Sequence, residues 1–239
     1  MSSLKDTAVI LRTYRTGEAD KIIVLYTKEH GKLRAIAKSS RKTMSKLGAR
    51  LEPLSYINVI LWQGKNLSTV TSVDVIDNFS NIRSDLDRVL MATTMVEIIE
   101  KFTPDEHSDM DFFRLLANAL ETVNNNFSPA ILAAFCFKIL MLEGLSPQID
   151  RCCSCGATSD LVAFNPEIGG ILCNKCRSGH LISPKAIELM GLIFNGQISR
   201  ALYIGTFDRA LAREVEALGI KAIEHHLEQG LKSHLNLRT

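Results

Sequence analysis

Apolar and polar positions alternate through the first third of the chain, and afterwards the apolar spacing changes to three and four. Two kinds of structure therefore follow one another. Five short runs at 7–15, 21–28, 32–38, 54–62 and 67–77 are rich in Val, Ile, Tyr and Thr. They carry no helical period and predict strands. Thr16-Gly17, His30-Gly31 and Gln63-Gly64 stand between runs as turns. Five such strands suggest a small closed barrel. Between the third and fourth, residues 39–50 are polar and basic and read as a mobile loop.

From residue 78 onward the spacing predicts helices. A first helix over 81–102 carries Ile82, Leu86, Val89, Leu90, Val96, Ile99 and Phe102. Ser108 is the expected cap of a second, bearing Phe112, Phe113, Leu116, Leu120 and Val123. Ser128-Pro129 starts a third that stops at Gly144; it is apolar all round, as the centre of a bundle requires. Ser183-Pro184 repeats the start signal, and a last long helix runs from about Asp208 to Gln229. No internal repeat or low-complexity tract interrupts this order.

Inside the helical part lie two CxxC pairs, Cys152/Cys155 and Cys173/Cys176, 17 residues apart. That spacing fits four thiolates closing a tetrahedron around Zn²⁺. Four protein ligands leave no position for water or substrate, so the expected metal is structural. A redox CxxC needs a βαβ context, which is missing from the pattern. Cys153 sits beside Cys152, but Cys153/Cys155 has one intervening residue, so Cys153 is read as a spare thiol. Cys136 falls in an apolar run and reads as a small buried hydrophobe.

With 239 residues and 46% hydrophobic content the chain can build two cores. The expectation is an α+β multidomain protein, with a barrel at 1–78 and a helical domain at 79–239 interrupted by the four-cysteine module at about 147–181. No basic stretch followed by an apolar run marks a leader, and no apolar run reaches membrane-spanning length. A soluble cytoplasmic protein is expected, and six cysteines then favour thiols and metal ligands over disulfides.

The net charge is only +2, but it is unevenly placed. Residues 1–78 hold 13 Lys and Arg against 7 Asp and Glu, whereas the remainder is net acidic. Eight bases, Lys28, Lys32, Arg34, Lys38, Arg41, Lys42, Lys46 and Arg50, face one acid, Glu29, within residues 28–50. Such a cluster is the electrostatic signature of a nucleic-acid binder. If the third strand alternates, Lys32, Arg34 and Lys38 share one face while Leu33, Ala35 and Ala37 point inward. Five to eight phosphate contacts give a log–log salt slope of about −3.5 to −5.5 on single strands. Tyr14, Tyr26, Tyr56 and Trp62 lie in the same region; each taken singly reads as core, with base stacking by one or two of them as the alternative. No base-reading motif accompanies the cations, which predicts backbone binding with little sequence preference.

Catalytic signatures are missing: there is no GxxxxGK[ST] loop, GxGxxG turn, GxSxG elbow or HExxH helix. His225 and His226 are neighbours on a helix and point about 100° apart, which suits no shared ligand. His180 follows a cysteine set that is already complete. Asp105, Glu106, Asp109 and Asp111 cluster at a helix start, where carboxylates meet the dipole.

Several stretches together resemble the family of the bacterial DNA repair protein RecO, a recombination mediator. They are Val9-Ile10-Leu11 through Gly17-Glu18-Ala19-Asp20, Tyr26 to Lys32, Ala37-Lys38 with the basic loop, and Leu51-Glu52-Pro53-Leu54. The most specific are Gly144 to Cys152 with Cys155-Gly156, and Phe164-Asn165-Pro166-Glu167-Ile168-Gly169-Gly170-Ile171-Leu172-Cys173. The similarity extends over essentially the whole chain, although the last 40 residues match in helical character alone, and Cys153 departs from the usual single cysteine. The resemblance implies an N-terminal OB-fold, a helical domain holding the zinc module, and no substrate turnover. It implies binding of single- and double-stranded DNA, annealing, and cooperation with RecR to load RecA onto DNA coated by single-strand-binding protein. The acidic tail of that protein is an implied contact of the helical domain, and the setting is the bacterial cytoplasm and nucleoid. A zinc-containing adaptor that binds protein alone is the competing reading; an enzyme with a four-cysteine lid lacks its nucleotide loop.

Overall fold

A computed structural model describes residues 3–45, 47–65 and 67–235. The chain forms two compact units, one of residues up to Asn124 together with those from Ser233, the other of Asn125–Lys232.

In the first unit, β1 (Ser3–Thr16), β2 (Asp20–Thr27), β3 (Gly31–Ala37), β4 (Tyr56–Trp62) and β5 (Ser68–Asp77) close a barrel in the order β1-β2-β3-β5-β4. The expected five-stranded barrel is therefore present, with the strand order of an OB-fold. Alternation decides which side chains enter it: Ile23 and Leu25 from β2, Ala35 and Ala37 from β3, and Val59 and Leu61 from β4 are buried inside. Leu33 packs against the same core. The three alanines Ala8, Ala35 and Ala37 leave room for the branched residues in a narrow lumen. β1 slips register between Ile10 and Arg12, and this bulge bends the strand so that it pairs with both β2 and β4.

The loop 38–55 is held at several points. Ser39 N–H donates to Asp20 Oδ1 at 2.7 Å and Arg41 N–H to the Ala19 carbonyl at 2.9 Å. Farther on, a 3-10 turn at Gly48–Arg50 lies between Leu47, which packs on the barrel core, and the fully buried Leu51. The basic loop is thus anchored to the β1–β2 turn and to the core, where the sequence suggested mobility. Backbone hydrogen bonds at the start of the segment and the packing of Leu47 and Leu51 farther on are the physical reason.

The first expected helix is two. α1 (Ser80–Arg83) and α2 (Leu86–Phe102) are separated because Asp85 is extended and its carboxylate accepts from Arg88 N–H. α3 (Met110–Asn125) is capped by Asp109, not by Ser108: Asp109 Oδ1 accepts from Asp111 and Phe112 N–H. The aspartate lies one residue closer to the helix, so its oxygen reaches the second and third amides.

In the second unit α4 (Ala130–Leu142) is the central helix, buried on nearly every side. It packs along α7 (Arg209–Leu227) and against α5 (Pro184–Phe194) and α6 (Ile198–Phe207). Ser128 Oγ accepts from Ala130 N–H, Ser183 Oγ from Ala186 N–H, and Asp208 Oδ1 from Leu211 N–H. These starts agree with the sequence signals. Between α4 and α5 a small sheet of β6 (Leu161–Asn165), β7 (Gly170–Cys173) and β8 (His180–Leu181), in the order β7-β6-β8, carries the cysteines. A final short helix α8 (Lys232–Leu235) returns the chain to the first unit, where Glu97 of α2 accepts from both N–H and Oγ of Ser233.

Candidate nucleic-acid interface and metal centre

Strand β3 is seven residues long, roughly 20 Å from end to end. It separates five of the eight predicted phosphate-binding cations into two groups, with Arg34 on the strand itself and Arg50 in the 3-10 turn farther on. Lys28 and Lys32 lie at the β2–β3 turn, whereas Lys38, Arg41 and Lys42 lie past the other end of β3. Lys46 falls outside the described residues.

The turn group stands among acids. Lys28 pairs with Glu29 at 3.4 Å. Lys32 is only 11% exposed and donates to the carbonyls of Glu100 at 2.8 Å and Thr103 at 2.6 Å, with Asp105 at 3.1 Å. It closes the C-terminal end of α2, where a cation meets the helix dipole. Arg34 is 60% exposed, with Asp105 at 3.8 Å. Arg50 leans on β5, donating to the Val73 carbonyl at 2.9 Å.

The far group differs. Lys38, Arg41 and Lys42 are exposed. Arg41 donates to the Glu18 carbonyl at 3.2 Å, and none of the three has an ion-pair partner among the described residues. Register brings two further cations to this end, since Arg15 stands opposite Lys21 and Lys21 opposite Ala37. Lys21 pairs with Glu52 at 2.8 Å, while Arg15 is exposed. Sequence reasoning passed over both residues, because only strand pairing carries positions 15 and 21 to the side of position 37.

Of the four aromatic candidates, two are packing residues. The Tyr26 and Tyr56 rings each lie 6.3 Å from the Phe113 ring of α3. Tyr26 is fully buried, and its burial pushes the phenol well above its usual pKa. Tyr14 and Trp62 are 45% and 46% exposed.

The cysteine cluster is built by two tight turns. Gly156 N–H donates to the Cys152 carbonyl and Cys152 N–H to that of Ala157, with Gly156 at φ +77° where a side chain would be strained. Cys173 ends β7, and Cys176 N–H donates back to its carbonyl. All four Sγ atoms lie within 4.8 Å of one another, with Cys155 and Cys173 at 3.6 Å. Tetrahedral Zn–S bonds of about 2.3 Å place sulfurs about 3.8 Å apart, so these thiols can hold a metal ion. Amide donors, Cys173 N–H foremost, draw the Cys152 thiol down to about 6, while sharing protons with Cys155 and Cys173 pushes Cys176 up. A bound dication would favour the thiolate form of each ligand. Cys153 Sγ lies outside this four-thiol group, and its N–H donates to the Ile171 carbonyl of β7. Cys136 is fully buried in α4.

His225 and His226 stack edge-on at 5.2 Å. Together with the rest of the described His, Asp and Glu residues they form no three-ligand cluster. His225 instead lines an open cleft of about 590 Å³ with His180, Lys221, Asn165, Glu167 and Glu224. An apolar cavity of about 220 Å³, walled by Leu140, Pro147, Phe164 and Ala222, shares Pro166 with it. No described helix is long and apolar enough to cross a membrane.

Comparison with known proteins adds to this geometry. The family profile described as Recombination protein O N terminal matches residues 1–79, and that described as Recombination protein O C terminal matches residues 83–235. A DNA repair protein RecO from Nocardioides sp. is 34% identical over 241 residues, covering 96% of each chain. A DNA repair protein RecO from Frankia casuarinae is 33% identical over 239 residues, covering 98% of this chain and 97% of the relative.

Proposed function

The chain belongs to the recombination protein O family, and from that premise we propose a DNA-binding recombination mediator that turns over no substrate. The observation that carries this reading is the exposed group Lys38, Arg41 and Lys42 at one end of the OB barrel, without ion-pair partners among the described residues and joined there by Arg15. Cations without carboxylate partners keep their full attraction for phosphate and release counterions when a strand binds. Lys28, Arg34 and Arg50 add to the positive surface, each tempered by a nearby acid. Lys32 serves the fold. A surface of this kind holds single and double strands by their backbones and lowers the repulsion between complementary strands, which is the physical requirement for annealing.

The four thiols Cys152, Cys155, Cys173 and Cys176 bind Zn²⁺ as a structural ion, since all four positions are filled by soft thiolate donors. When bound, the metal supplies rigidity to the turns that frame β6 and β7.

Two further family roles follow on the same premise: cooperation with RecR in loading RecA, and contact with the acidic tail of single-strand-binding protein. The apolar cavity suits the apolar end of a short peptide, with Lys221 of the adjoining cleft as the cation for its carboxylate, although Glu167 and Glu224 line the same cleft. The setting is the bacterial cytoplasm, at the nucleoid. An adaptor that binds protein alone is the second reading, favoured by the exposed, stacked Tyr203 and Phe207 of α6. Annealing of complementary oligonucleotides by the protein decides between them. The mediator reading predicts acceleration that disappears when Lys38, Arg41 and Lys42 are replaced by Glu; no acceleration by the unaltered protein contradicts it.

A further inference from the structure

Register assembles one row of outward side chains across all five strands of the barrel. Tyr14 of β1 stands opposite Ile22 of β2, Ile22 opposite Ile36 of β3, Ile36 opposite Thr69 of β5, and Thr69 opposite Trp62 of β4. Directly opposed residues share a face. That face is the outer one, because the neighbours Ile23, Ala35, Ala37, Leu61 and Val70 fill the core. Four strand spacings of ~4.8 Å make the row about 19 Å long when followed along the curved barrel wall. Both ends are exposed aromatics, and the middle is half-buried Ile22 and Ile36.

An apolar row open to water needs an occupant, and the charges beside it identify one. Two residues along the strands on one side, Arg12, Val24 and Arg34 form the next outward row. Its arginines are held at 2.8 Å from Glu100 and 3.8 Å from Asp105. On the other side lie Lys38 and the cationic loop, with Asp20 as a nearby acid whose Oδ1 already accepts from Ser39 N–H. Aromatic and aliphatic surface flanked by cations complements flat, apolar bases strung on a charged backbone.

Resting on the DNA-binding reading above, we propose that the row Tyr14–Ile22–Ile36–Thr69–Trp62 is a stacking platform for unpaired bases, so that this barrel prefers single strands to duplex. In a duplex the base faces are covered and only the backbone cations can act. Thr69, small and polar, separates the aliphatic centre from Trp62, so the two aromatic ends are the anchoring positions.

Trp62 is the sole tryptophan of the chain, so its emission reports the platform directly, and a base stacked on the indole quenches it. The full-length protein is titrated with oligothymidylate, with an abasic strand of equal length and with duplex. Expected are quenching by oligothymidylate alone, and binding to all three. Trp62→Ala weakens oligothymidylate binding about 5- to 150-fold, Trp62→Phe largely restores it, and abasic binding is unchanged by either. Equal affinity for oligothymidylate and the abasic strand with unaltered emission overturns the platform and leaves the phosphate-binding surface standing. Failure to bind any of the three overturns both. The emission of the unaltered protein decides the matter even if a Trp62 variant does not fold.

Discussion

Lys32 donates its ammonium group to the carbonyl oxygen of Thr103 at 2.6 Å. A strand residue from the densest basic run thereby closes the end of α2, which also receives it through Glu100 and Asp105. Charge-assisted bonds of this kind contribute about 1.5–3 kcal/mol each, and their loss leaves helix-end carbonyls unpaired.

Replacing Lys32 by Ala therefore acts on stability. A loss of about 2–3 kcal/mol is expected, which lowers Tm by roughly 5–10 °C in a chain of this size. Thermal unfolding followed by circular dichroism measures it. DNA affinity at a temperature where the variant is folded stays within about twofold of the unaltered protein, since one shielded phosphate contact at most is removed.

Lys38, Arg41 and Lys42 behave in the opposite way. Changing all three to Ala leaves Tm nearly unchanged, because exposed side chains without ion-pair partners contribute little to the fold. The log–log salt slope of single-strand binding becomes shallower by about 2, at 0.7 per lost phosphate contact. Fluorescence anisotropy across a salt series reads the difference.

Zinc held as proposed by the four thiols would link metal content to folding. Cys173→Ser is expected to lose its zinc by elemental analysis and to melt on the order of 10 °C lower, because structural zinc binding is folding free energy. Cys153→Ser keeps one zinc per chain, since that thiol lies outside the group of four. Metal loss in the Cys153 variant alone reverses the ligand assignment.

Gly205 of α6 is a test of packing. A Cβ there would lie 2.5 Å from the Ala130 Cβ and 2.6 Å from the Ser128 Oγ. Gly205→Val forces α6 away from the start of α4 and costs about 1–3 kcal/mol; urea unfolding measures the shift in midpoint.

Features written in neighbouring residues were legible from the sequence, and those that depend on distant pairing were not. Alternation around Ile23, Leu25, Ala35 and Ala37 identified the barrel because one face of each strand is core. The caps Ser183 and Asp208 and the two CxxC turns are equally local. α6 escaped notice because Gly205 and its β-branched neighbours disfavour a helix in isolation; close contact with Ala130 makes glycine the residue that fits. Asp85 broke the first helix by bonding Arg88 N–H, a choice that the apolar period does not record. Lys32 read as one more phosphate ligand because its partner Thr103 is 71 positions away. Tyr26 and Tyr56 could be assigned to packing only once Phe113 of α3 stood against them.

The most direct measurement is equilibrium binding of the full-length protein to a single-stranded oligonucleotide between about 50 and 200 mM salt. With four or five phosphate contacts from the barrel cations, affinity falls with a log–log slope of about −3 to −3.5, and the slope becomes shallower when Lys38, Arg41 and Lys42 are neutralised. Binding that ignores salt, or a slope that the three substitutions leave untouched, contradicts a nucleic-acid grip at this end of the barrel.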